Sequence, residues 1–114
     1  MKENDVLDLI ESLEQADEVR QSKIFDVRQV FQQRCADDKF TLTETEAEDI
    51  LSKAEGSLPV IFQSAANLKD MLTKAKKKRI LYQEEELVQL FEQEVVRELA
   101  RQLEDKSRNM RRAR

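Results

Sequence analysis

Apolar residues recur at intervals of three and four along most of this chain, and the breaks in that rhythm mark out its elements. Val6, Leu9, Ile10, Leu13 and Ala16 form one row, and Ile24, Val27, Phe31 and Cys35 form a second. The step from Val19 to Ile24 is five residues, which breaks the phase. Over residues 5–35 either one long helix drifts in phase there, or two closely joined helices hinge near Arg20 to Lys23 with Ser22 capping the second; the hinged pair is preferred.

The stretch Ala36 to Thr43 loses the rhythm and reads as a loop. Thr43-Glu44-Thr45-Glu46 then reads as a capping box, in which the threonine hydroxyl accepts from the third helical amide and the glutamate reaches back. Ala47, Ile50, Leu51 and Ala54 give a short helical stripe, followed by Gly56 as a left-handed cap and by Ser57-Leu58-Pro59 as a new helix start. This predicts a helix–Gly–helix corner near residues 55–58. Leu58, Ile61, Ala65, Leu68, Leu72 and Ala75 mark the next helix, which ends in the cationic run Lys76-Lys77-Lys78-Arg79, a favourable place for positive charge. Ile80-Leu81-Tyr82 is a brief apolar patch of no definite period. From Glu84 the period returns, with Leu87 or Val88, Phe91, Val95, Leu99 and Leu103 on one face of a long amphipathic C-terminal helix. On its charged side, repulsion between Glu94 and Glu98 is offset by Arg97 and Arg101.

Composition agrees with that outline. One Gly and one Pro in 114 residues leave few points where the backbone is told to turn. The expected architecture is all-α: a small bundle of four to five helices forming a single domain over residues 1–105. Residues 106–114 hold five basic and no acidic side chains after Lys106's neighbour Asp105, and are expected to fray as a basic tail. Hydrophobic residues make up 39% and charged residues also 39%, so the core is thin and a partner is expected to contribute to stability. The first 57 residues are net −8 and the last 57 net +4, an asymmetry compatible with antiparallel association within one chain or between two, and equally with a basic end that seeks an external anion.

The residues that usually carry chemistry are missing. With no His and one Cys, neither a clustered metal site nor a Cys–His or Ser–His pair can be assembled, and one Gly cannot make a phosphate-binding loop. Paired glutamates such as Glu44 and Glu48 read as solvated helix faces. No cofactor is expected, and Cys35 reads as a reduced thiol on a helix face. The acidic N-terminus lacks the apolar run of a signal peptide and no stretch approaches about 20 apolar residues, so a cytoplasmic protein without a membrane partner is expected.

Two function classes remain. The first is a non-enzymatic adaptor, assembly factor or chaperone-like protein that meets another protein, or a second copy of itself, by helix packing. Leu87, Phe91, Val95, Leu99 and Leu103 are its expected partner-binding face, because the shorter helices cannot cover so long a stripe. The second class is a nucleic-acid-associated accessory protein, contacting phosphates through Lys74, Lys76, Lys77, Lys78, Arg79, Arg108, Arg111 and Arg112. Few polar side chains stand at the start of the helix after Gly56, and no base-stacking aromatics apart from Tyr82 interleave the cations. The first class is preferred.

Overall fold

The computed structural model describes the backbone of residues 3–112 and the side chains of residues 15–108. Within them the chain is all-helical: α1 (Glu3–Arg34), α2 (Glu44–Lys53), α3 (Leu58–Lys77) and α4 (Glu84–Arg112). The expected hinge near Arg20–Lys23 does not form, and α1 runs unbroken for 32 residues, about 48 Å at 1.5 Å per residue. The phase break is nonetheless real. It marks where the helix enters the body: residues 15–22 are exposed, whereas Ile24, Val27, Val30 and Phe31 are buried. The row from Val6 to Leu13 lies outside the described side chains.

The capping box at α2 forms as the sequence suggests. Glu46 N donates to Thr43 Oγ1 at 3.1 Å, and Thr43 N donates to Glu46 Oε1 at 2.9 Å. Ser57 caps α3 through a bond from Val60 N, and Pro59 sits in the first turn, where its missing donor costs nothing.

The four helices close on one core, in which Phe31 of α1 and Phe91 of α4 stack with centroids 5.5 Å apart. The α1–α2 loop contributes Leu42, fully buried, and Arg28 Nε donates to its carbonyl at 2.7 Å. Between α3 and α4 lies a polar seam. Glu94 and Glu98 are each only 4% exposed, and Asn67 Nδ2 donates to both, at 3.1 and 3.2 Å. Arg97 and Arg101 pair with them at 3.2 and 2.9 Å, as the alternating charges imply.

Helix ends are closed in an economical way that the sequence hides. At the end of α2, Glu55 N donates to Ser52 O and Gly56 N to Leu51 O; at the end of α3, Arg79 N donates to Lys76 O and Ile80 N to Ala75 O. These are two Schellman motifs. In each, the first left-handed residue is charged rather than glycine: Glu55 (φ 53°) and Arg79 (φ 62°). Gly56 follows Glu55 at φ 74°, and Lys23 Nζ of α1 donates to its carbonyl at 3.0 Å. Substituting Arg79→Gly should therefore raise stability by up to about 1 kcal/mol in thermal melts, while Gly56→Val should lower it by about 1–2 kcal/mol.

The molecule is flat, with extents of 65 × 45 × 16 Å. The start of α1 and the end of α4 project from the body as arms: residues 103–108 are exposed like residues 15–22. The stretch from Lys106, expected as a fraying tail, continues α4 to Arg112.

Candidate functional site

One half-open groove, of about 190 Å³, lies where the α1–α2 loop approaches the α3–α4 loop. Its apolar floor is made by Ala36, Phe40, Leu72, Tyr82 and Leu87, with the buried Cys35 beneath. Ile80 and Leu81 form a lip and are 46% and 80% exposed, large values for such side chains. Arg34, Lys39, Lys69 and Lys76 line the rim, against a single carboxylate, Asp37. Asp37 reaches Lys76 at 3.9 Å; among the described residues the other three cations make no ion pair. The loops take this path because Asp37 and Asp38 both adopt left-handed backbone (φ 51° and 61°), turning the chain sharply after α1. The Schellman turn at Arg79 does the same after α3.

The arrangement is suited to binding an anionic, partly apolar surface. Its volume is below the roughly 300–1,000 Å³ of small-molecule sites and matches one or two anchoring side chains.

The expected partner-binding stripe goes elsewhere. Leu87, Phe91 and Val95 are buried in the chain's own core, Leu99 packs half-buried against it, and only Leu103, 51% exposed, remains available. The cover is α3, twenty residues long and laid along α4, so the stripe is not left to a partner as its length beside the shorter helices suggested. The basic run is fully at the surface. Lys74 pairs with Asp70 at 3.3 Å, Lys76 borders the groove, and Lys77, Lys78 and Arg79 are exposed around the end of α3. Arg108 pairs with Glu104 at 3.0 Å along α4. The side chains of Arg111 and Arg112 lie outside the described residues.

Comparison with known protein families, with curated proteins and with solved structures finds no match. Among the described residues no helix is long and apolar enough to cross a membrane.

Arg34, Lys39 and Lys69 escape a reading of the sequence because they are scattered over 35 positions, whereas the consecutive lysines at 76–78 stand out. Three exposed cations become a rim only once the ends of α1 and α3 lie side by side.

Cys35 is held by the same packing. Its Sγ lies 3.9 Å from the carbonyl of Ala65 on α3, and burial pushes the thiol up to about 12 from an ordinary 9.0, with Arg34 only partly opposing. The folded state thus keeps this proton where the unfolded chain releases it. The neutral thiol's contribution is intact below about pH 9 and is lost as pH rises toward 12, with a limiting slope of about 1.4 kcal/mol per pH unit. The urea midpoint of the wild type should accordingly lose its lead over Cys35→Ala between pH 8 and pH 10.5.

Proposed function

We propose that this chain is a non-enzymatic helical interaction module, an adaptor or assembly factor, that engages another protein at the groove between its two loop regions. The observation that carries this reading is the exposed lip of Ile80 and Leu81 beside a rim whose cations Arg34, Lys39 and Lys69 make no ion pair among the described residues. Leaving such a lip in water is unfavourable unless something covers it in use.

A nucleic-acid-associated role draws support from one observation, the full exposure of Lys77, Lys78 and Arg79. Against it, Lys74 and Lys76 already face carboxylates, and Tyr82, the aromatic nearest in sequence, is half-buried in the groove rather than free to stack.

Affinity capture with and without nuclease separates the two. Partners should survive nuclease and be lost with Ile80→Ser/Leu81→Ser, whose melting temperature should match the wild type. Loss of every partner on nuclease treatment, together with duplex binding below about 1 μM at physiological salt, would establish the rival reading.

A further inference from the structure

We infer that the groove receives a second copy of this chain, which enters it with the acidic first part of α1. This rests on the interaction-module reading and names its partner. Residues 3–22 carry seven acidic side chains and one basic, and the sequence spaces Val6, Leu9, Ile10 and Leu13 at helical intervals among them. The backbone of this stretch is continuous helix, about 30 Å of it, and its described part, residues 15–22, is exposed and projects from the body. Along its sequence α1 thus carries an acidic stretch at one end and reaches the cationic, apolar-floored groove at the other. Two α1 helices set antiparallel would bring each acidic stretch to the other's groove, and such a contact closes on itself with two-fold symmetry.

The competing cationic seat is the arm of α4. It is the poorer one. Arg101 and Arg108 are already paired with Glu98 and Glu104 on their own helix. Arg34, Lys39 and Lys69 have no such partners among the described residues, and they surround a cavity.

A charge-swap experiment in analytical ultracentrifugation decides the matter. At tens of micromolar and 50 mM salt the wild type should sediment at twice 13.4 kDa, weakening about tenfold or more at 500 mM salt. A groove variant, Lys39→Glu/Lys69→Glu, and an arm variant, Glu14→Lys/Asp17→Lys/Glu18→Lys, should each be monomeric with unchanged helicity. Mixed together they should dimerise again, because each reversed arm then meets a reversed groove and each native arm a native groove. Reversal on α4, Lys106→Glu/Arg108→Glu, should change nothing. A wild type that stays monomeric at 100 μM in low salt overturns the inference, as does a mixture that fails to associate or a dimer dispersed by the α4 variant. Nuclease-resistant capture of other proteins by a monomeric wild type would leave the interaction-module reading standing while removing this one.

Discussion

Replacing Phe91 with alanine should cost about 3–5 kcal/mol. Its ring is fully buried and stacks on Phe31, so the change removes apolar contact, leaves a cavity and ends the aromatic pairing between α1 and α4 together. A domain of this size holds only about 5–15 kcal/mol in total, and this one has a thin core. The urea midpoint, followed by circular dichroism, should fall by half or the protein should be unfolded outright. Leu103→Ala on the same helix, at an exposed site, should move the midpoint by less than about 0.5 kcal/mol. Equal losses at the two positions would mean that the stripe of α4 is covered by something other than α3 and α1.

Asn67→Leu should cost about 2–4 kcal/mol, although Asn67 is only half-buried. The leucine is of similar size, so the cost is electrostatic. Glu94 and Glu98 are adjacent on one helix face and nearly sealed from water; the Asn67 amide is their shared donor. Without it, two like charges face each other across a gap with one partner fewer each. Combining Asn67→Leu with Glu94→Leu and Glu98→Leu should recover most of the loss, because an apolar seam has no buried charge to satisfy. Failure to recover would show that the residues act by shape alone. Gln63→Ala, which removes only the donor that orients Asn67 at 2.9 Å, should cost less than about 1 kcal/mol.

Much of the fold follows from side-chain spacing, because helices leave their signature in one dimension. The Thr43/Glu46 box, the Ser57-Leu58-Pro59 start and the Glu94/Arg97 and Glu98/Arg101 pairs all lie within one turn of helix, and each forms as their spacing suggests. Features that depend on where helices go are different. The step from Val19 to Ile24 carries the same pattern whether the backbone bends or merely leaves the body, and α1 does the second. The stripe from Leu87 to Leu103 could not reveal that α3 lies along it. Turn positions were obscured because Asp37, Asp38, Glu55 and Arg79 adopt the left-handed backbone that a sequence reading assigns to glycine. The groove was the least visible of all, since both loops that build it turn on those residues.

The two arms also set how the molecule comes apart. Beyond the body, residues 15–22 of α1 and 103–108 of α4 are exposed and are sustained by local backbone bonds and by pairs such as Arg108–Glu104. Helical segments of that length are marginal in water. In the monomeric groove variant, where no partner covers them, heating should therefore strip helix from the ends while the body is still intact, so that far-ultraviolet ellipticity declines well before the aromatic signal collapses. The van't Hoff enthalpy drawn from ellipticity would then fall short of the calorimetric one, and the chain would behave as a cooperative centre bearing two independently melting extensions.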